Sequence, residues 1–379
     1  MKKSNLLETY KDYLTAPGNG VFTVHTARER KEKLQTQLFK CLPNEVEQKW
    51  WQALEKNLLE SDRSSDVALL GVCSDTGGGI LRGANWGPLF LRSQLLEDGL
   101  FNQYPQILEL GDIRVVPHLL HDKYLNRETL RECQEALFKD SPKKNQRAVS
   151  PLSITYEVCQ EFYKSYESGQ KNGKIFAFGG DHSVSYPLVR SYLESAKRRG
   201  VKAGLIHFDA HTDLLDKRLG IDLCFATWTT HILKYLDSPD LVHQIGIRSS
   251  GKPKEHWEKT YGLNQHWADE VNQRPVHETA QLIIEDLKKH NVDEIYISFD
   301  IDALDSKFAP ATGTPEPNGL SPEQASHLIG AFGREFTIAG ADMVEVAPFI
   351  ETEYAEKMGR EMTVEIAGAL SAQMIEKML

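Results

Sequence analysis

The chain has 379 residues, 40% of them hydrophobic and 26% charged, with a formal net charge of -10. The length suits one large α/β domain plus an extension, or two domains, and the acidic balance excludes a general nucleic-acid binder, which needs a basic surface. No window is apolar over the length needed to cross a membrane. No apolar signal core follows Met1-Lys2-Lys3, and five scattered cysteines (Cys41, Cys73, Cys133, Cys159, Cys224) read as the reduced thiols of a cytoplasmic protein.

Residues 1–62 are polar, with Leu34, Leu38, Val46, Trp50 and Leu54 at roughly helical spacing and a turn at Pro17-Gly18-Asn19-Gly20. They are expected to form a mostly helical N-terminal extension, leaving residues 63–379 as the main domain. Asp66–Val72 is the first core strand, followed by a glycine-rich loop from Asp75 to Gly83 and a helix starting at Gly87-Pro88, where proline suits the first turn. Gln106–Val116, Lys174–Phe178, Val201–Phe208, Leu241–Ile247, Glu294–Phe299 and Thr337–Val346 read as further strands, and residues 348–378 as a closing helix. The alternation of strand and helix patterns predicts an α/β fold wound around a parallel sheet. Gly77-Gly78-Gly79 lacks the residues of a phosphate-binding loop, and no Gly-x-Ser-x-Gly elbow is present.

Three of these strands end in acids and imidazoles: Gly179-Gly180-Asp181-His182-Ser183, His207-Phe208-Asp209-Ala210-His211-Thr212-Asp213 and Ser298-Phe299-Asp300-Ile301-Asp302. Alternate residues of an extended chain share a side, so Asp209, His211 and Asp213 are expected to face one way. In open parallel sheets ligands collect beyond the carboxyl ends of strands. Four carboxylates with one or two imidazoles are enough for two divalent ions that share ligands. The absence of cysteine from the three runs argues against thiolate zinc and favours Mn²⁺, with Ni²⁺, Co²⁺ or Fe²⁺ as alternatives. A paired-metal site activates water for hydrolysis.

The three runs, together with Phe308-Ala309-Pro310-Ala311-Thr312-Gly313-Thr314-Pro315-Glu316-Pro317, Val344-Glu345-Val346-Ala347-Pro348 and Arg82-Gly83-Ala84-Asn85-Trp86-Gly87-Pro88, resemble the ureohydrolase superfamily of arginases, agmatinases and formimidoylglutamases. The resemblance runs from about residue 66 to the end. It implies a three-layer α/β/α sandwich with a central parallel sheet, a catalytic domain at 63–379 and a homo-oligomer, trimer or hexamer. It implies that His182, Asp209, Asp213 and Asp300 hold one ion and Asp209, His211, Asp300 and Asp302 the other. The expected reaction is hydrolysis of a non-peptide C–N bond in a guanidino, amidine or formimino compound, with a hydroxide between the metals as nucleophile. Glu345 would orient the planar cationic carbon and Asp302 would carry a proton to the leaving amine. Asp181 is expected to orient His182. Thr314 and Trp228 are expected to contact substrate, Trp228 with Phe225 and Cys224 lining a small apolar pocket.

The chain departs from arginases and agmatinases in the loop after Asp213. Asp222-Leu223-Cys224-Phe225-Ala226-Thr227-Trp228 stands where those enzymes carry a His-Gly pair, and formimidoylglutamases also lack that histidine. His231 follows, on the expected outward face of a helix. Poor arginase activity is the expectation. The alternative is a catalytically silent family member acting as a binding or regulatory subunit.

Overall fold

The computed structural model describes residues 2–21, 25–59, 67–77, 81–116, 118–166, 172–351 and 361–379. Nine strands form one sheet: β1 (Leu14–Thr15), β2 (Val67–Gly71), β3 (Leu108–Ile113), β4 (Lys174–Phe178), β5 (Ala203–Phe208), β6 (Val242–Ile245), β7 (Asn264–His266), β8 (Glu294–Asp300) and β9 (Thr337–Val344). The order is β1-β3-β2-β4-β9-β8-β5-β6-β7, and every neighbouring pair is parallel except β1 with β3. From β4 the chain skips two places to β5 and runs out to β7. It then turns back and inserts β8 and β9 in the gap. That reversal opens a crevice beyond the carboxyl ends of β4, β9, β8 and β5.

Helices cover both faces, which is why the central strands are apolar on both sides. Ala68, Leu70, Ile175, Ala177 and Leu205 pack with the helices Lys2–Tyr13, Pro151–Tyr166 and Ser185–Arg199. Leu69, Phe176, Phe178, Ile206, Phe208, Ile297 and Phe299 pack with Gly87–Glu97, Val276–Lys289, Pro322–Glu335 and Met362–Met378. The three-layer α/β/α architecture follows. Local signals agree with it: Ser321 Oγ accepts the Gln324 amide while Gln324 Oε1 accepts that of Ser321, a capping box ahead of Pro322 that fixes where that helix begins.

The expected core strands all form, Lys174–Phe178 with its bounds unchanged and the others with ends moved by at most three residues. β1 and β7, of two and three residues, were not anticipated because so short a run carries no readable alternation. Of the expected closing helix, Pro348–Glu351 is a 3₁₀ turn and Met362–Met378 is α-helical, while residues 352–360 lie outside the described residues. Asp66, part of the glycine-rich loop (78–80) and the expected boundary at 62/63 lie outside them too.

The N-terminal helices Lys2–Tyr13, Arg28–Phe39 and Val46–Leu59 form as expected and are built into the sheet edge. Between the first two, β1 pairs antiparallel with β3, which covers an otherwise open edge. Tyr10 and Tyr13 are fully buried, Tyr13 donating to Glu157 at 2.7 Å. A buried ion cluster fastens this layer. Arg92 donates to both oxygens of Glu109 (2.7 and 3.0 Å) and to Asp112 Oδ1 (2.6 Å), while Asp112 Oδ2 accepts the amides of Gly18 (2.7 Å) and Gly20 (3.1 Å). Removing one member of such a set leaves buried charge unpaired. Arg92→Met is therefore expected to lower unfolding stability by about 3–5 kcal/mol in urea titration. A loss below about 1 kcal/mol would show that the cluster does not hold the edge.

Candidate metal centre

Register places the site. Phe178 of β4 pairs with Met343 of β9, Met343 with Phe299 of β8, and Phe299 with Phe208 of β5. Four adjacent strands therefore end at one level, and the chain beyond that level supplies Asp181 and His182, Glu345, Asp300 and Asp302, and Asp209 to Asp213. Gly180 is required by a close approach, since a Cβ there would stand 1.7 Å from the Ser74 carbonyl oxygen. Asp213 and Glu345 have φ of 50° and 60°, left-handed conformations that side-chain-bearing residues rarely adopt and that cost roughly 1–3 kcal/mol each. The Asp209–Asp213 run is thus not a simple strand continuation: Asp213 reaches the cluster through a left-handed turn.

His182 Nδ1 lies 3.1 Å from Asp209 Oδ2, 3.1 Å from Asp300 Oδ2 and 3.3 Å from Asp213 Oδ2. That nitrogen is buried and makes no hydrogen bond among the described residues. Metal–ligand bonds near 2.1 Å at right angles put adjacent ligand atoms about 3 Å apart, so the four atoms fit around one ion. Next to them His211 Nδ1 lies 3.1 Å from Asp302 Oδ2 and 3.3 Å from Asp209 Oδ1. Asp209 turns one oxygen to each group. His182, His207, Asp209 and Asp213 form one set spaced to hold a cation, and Asp209, His211 and Asp302 another; Asp300 falls in neither set and meets the cluster through its 3.1 Å approach to His182 Nδ1.

The supporting layer fixes these groups. His182 Nε2 meets Ser298 Oγ at 3.1 Å, and Ser298 donates to Asp342 (2.8 Å), which also accepts from Tyr296 (2.9 Å) and Ser185 (3.1 Å). With Nε2 protonated towards Ser298, Nδ1 presents a lone pair to the carboxylates. Ser298, not Asp181, orients the imidazole. The Asp181 carboxylate instead accepts the amides of Ser183 (3.0 Å) and Thr76 (2.6 Å), capping the turn that carries His182 and tying down the loop before Gly77. His207 contacts Asp209 Oδ2 through Nε2 at 2.8 Å, while Gln244 Nε2 donates to its Nδ1 (2.9 Å) and to the Thr212 carbonyl (2.6 Å). Its even spacing from Asp209 was the signal that could have found it. Arg248 joins the carbonyls of Asp302 (2.8 Å) and Leu304 (3.0 Å) to those of Glu316 (2.7 Å) and Pro317 (2.8 Å), holding the Thr314 loop over the site.

The cleft, of about 160 Å³, is lined by the metal-site residues with Gly77, Arg218, Phe225, Thr314 and Glu345. Thr314 Oγ1 donates to Asp302 Oδ2 at 3.2 Å. Trp228 is not a lining residue. It is fully buried, donating Nε1 to Asp213 Oδ2 at 2.9 Å with its ring centre 4.9 Å from those of His182 and His207. The expected substrate contact is instead a buried donor to Asp213. Cys224 is buried as well, and burial pushes its thiol pKa up, disfavouring the thiolate. His231 is half-buried against Tyr186 rather than turned outward, and stays clear of the cleft.

Burial, then the charge of neighbouring carboxylates, pushes Asp213 and Asp300 well above the usual carboxylate range, and Glu345 likewise. Asp209 is the exception. Burial also acts to raise it, but the imidazoles of His182, His207 and His211 outweigh that and hold it well below. Acids so crowded call for positive charge among them.

The model of the arginase family matches residues 65–375. Over 301 residues the chain is 31% identical to the mitochondrial guanidino acid hydrolase of Homo sapiens, spanning 76% of this chain and 73% of that one. It is 30% identical over 299 residues to the agmatinase of Chromobacterium violaceum, spanning 78% and 80%. The solved formimidoylglutamase of Bacillus subtilis superposes with a TM-score of 0.61 over 82% of this chain and 86% of that one, at 21% identity, a likeness of fold. With the family matched over most of its length, the chain belongs to the arginase family and is a ureohydrolase enzyme.

Proposed function

We propose that the chain hydrolyses a non-peptide C–N bond of a guanidino, amidine or formimino compound at a centre of two divalent ions, Mn²⁺ foremost and Ni²⁺, Co²⁺ or Fe²⁺ as alternatives. The supporting observation is the buried His182 Nδ1, without a hydrogen bond among the described residues, facing three carboxylate oxygens at 3.1–3.3 Å. One ion would be held by His182, Asp209, Asp213 and Asp300, the other by Asp209, His211, Asp300 and Asp302. When bound, the ions lower the pKa of water and offset charge developing on the attacked carbon's substituents.

The protein's own groups supply the rest. Glu345 Oε1 accepts the His182 amide at 2.8 Å, and the carboxylate lines the cleft, where it would orient a planar cation by paired hydrogen bonds. Asp302 is held at Oδ1 by the Ala210 amide (3.0 Å) and at Oδ2 by Thr314 (3.2 Å), a fixed position from which to move a proton to the leaving amine. We take residues 63–379 as the catalytic unit, in keeping with the matched span, and 1–62 as its appended edge layer. A homo-oligomer, trimer or hexamer, in the cytoplasm is the proposed state. The five free cysteines suit a reducing compartment, and no described helix is long and apolar enough to cross a membrane.

Arginine is not the proposed substrate. Apart from His182 and His211, the described lining of the cleft contains no imidazole, and the loop after Asp213 contributes Phe225 to it.

Elemental analysis after loading with Mn²⁺ should give two ions per chain, and urea, ammonia and formamide assays over a substrate panel should find turnover that chelation abolishes. Two bound ions with no turnover on any amidine would favour the silent-subunit alternative. Ser298→Ala should weaken metal binding by about 10–100-fold in direct titration; an unchanged affinity would remove Ser298 from its role. L-Arginine should be cleaved with a kcat/KM at least about 100-fold below that of the best substrate, and comparable urea release from arginine would contradict the reading of the loop.

A further inference from the structure

Arg218 is the single lysine or arginine in the described lining of this cleft. Its guanidinium lies over the Phe225 ring, 5.0 Å from the ring centre, and among the described residues no carboxylate forms an ion pair with it. The residue sits at the base of a tight hairpin. Arg218 and Ile221 exchange backbone hydrogen bonds of 2.8 and 2.9 Å, and Leu219 and Gly220 between them have φ of 51° and 88°, the paired positive values of a two-residue hairpin turn. The hairpin is pinned at its flanks. Leu215 donates to the Ala226 carbonyl (3.1 Å), Tyr261 to that of Leu214 (2.7 Å), and Asp222 accepts Lys123 (2.9 Å) and Tyr124 (2.5 Å).

Charge matching gives this cation a partner. On the hydrolase reading above, on which this inference rests, four aspartates oppose two dications and Glu345 opposes the cationic carbon of the substrate. Arg218 is the lining cation left without a carboxylate partner among the described residues. We infer that Arg218 receives a carboxylate at the far end of the substrate, which makes the substrate a guanidino or formimino acid and disfavours a guanidino amine. A guanidinium stacked on an aromatic ring keeps its edge free for bidentate binding of a carboxylate, while an ammonium tail placed there meets like charge. Hydrolysis of such an acid breaks the bond from the central carbon to the alkyl nitrogen. Water supplies oxygen to that carbon and a proton to the amine, so 4-guanidinobutyrate gives urea and 4-aminobutyrate.

The test compares tails at equal length. With Mn²⁺-loaded protein, 4-guanidinobutyrate or N-formimino-L-glutamate should be cleaved with a kcat/KM at least about 100-fold above that of agmatine. Arg218→Gln should raise KM for the preferred acid by about 30-fold while kcat moves less than about threefold, and Arg218→Glu should narrow or reverse the preference over agmatine. Calorimetric titration of the unreactive 4-aminobutyrate and 1,4-diaminobutane gives a readout independent of turnover: the wild type should bind the acid more tightly, and Arg218→Gln should abolish the difference. Agmatine preferred by the wild type, or an acid KM unmoved by Arg218→Gln, overturns the assignment. If none of the three compounds is cleaved, the hydrolase reading fails, and the calorimetric difference alone then upholds or overturns the role of Arg218.

Discussion

Carboxylates crowd together out of water at the ends of four neighbouring strands, and the rest of the molecule is arranged around that crowding. Asp209, Asp213 and Asp300 each place an oxygen within 3.1–3.3 Å of one imidazole nitrogen, in surroundings where like charges repel strongly and solvation is lost. Such a set persists because its members are over-determined. The aligned register of β4, β9, β8 and β5 fixes their height. Left-handed backbone at Asp213 and Glu345 aims two of the acids inward at a local cost that the surrounding packing must sustain. Two polar chains lock the imidazoles. One runs from Trp267 through Gln265 and Gln244 to His207, with links of 2.9, 2.7 and 2.9 Å. The other joins His182, Ser298, Asp342 and Tyr296. On the proposed reading, two cations turn this repulsion into binding energy.

The strand-end acids were legible in the sequence because a central parallel strand is apolar throughout, so a sudden Asp-x-His-x-Asp or Asp-x-Asp marks its carboxyl end. What lies behind those acids was less legible. Trp228 looked like a pocket wall because aromatics often line ligand sites, but the indole is fully buried and donates to Asp213. Asp181 looked like the orienter of His182 by adjacency, yet adjacent residues on a tight turn point apart. The partner, Ser298, comes from 116 residues away on β8. Arg218 gave no signal, since an exposed arginine in a polar hairpin is an ordinary sight until the cleft beside it is known. Contacts made across the sheet escape a reading that sees only spacing along the chain.

The N-terminal layer shows the same limit. Its helices were readable from periodicity, while β1, two residues long, was not. Those two residues nevertheless extend the sheet, and the Arg92 cluster behind them couples Gly18 and Gly20 to β3 through Asp112. The family match begins at residue 65, so this layer lies outside the matched span, and it covers a sheet edge. It lies on the β3 edge, whereas the hairpin carrying Arg218 follows β5, so edge protection and the proposed choice of substrate reside in different parts of the chain.

The central claim is that side chains from distant segments converge on two cations. The most direct measurement is anomalous diffraction from crystals of the full chain grown with Mn²⁺. The account predicts two peaks about 3.5–4 Å apart, one beside His182 Nδ1 and one beside His211 Nδ1, with Asp209 and Asp300 between them. A crevice without a peak there, or ions bound only elsewhere on the surface, would contradict it.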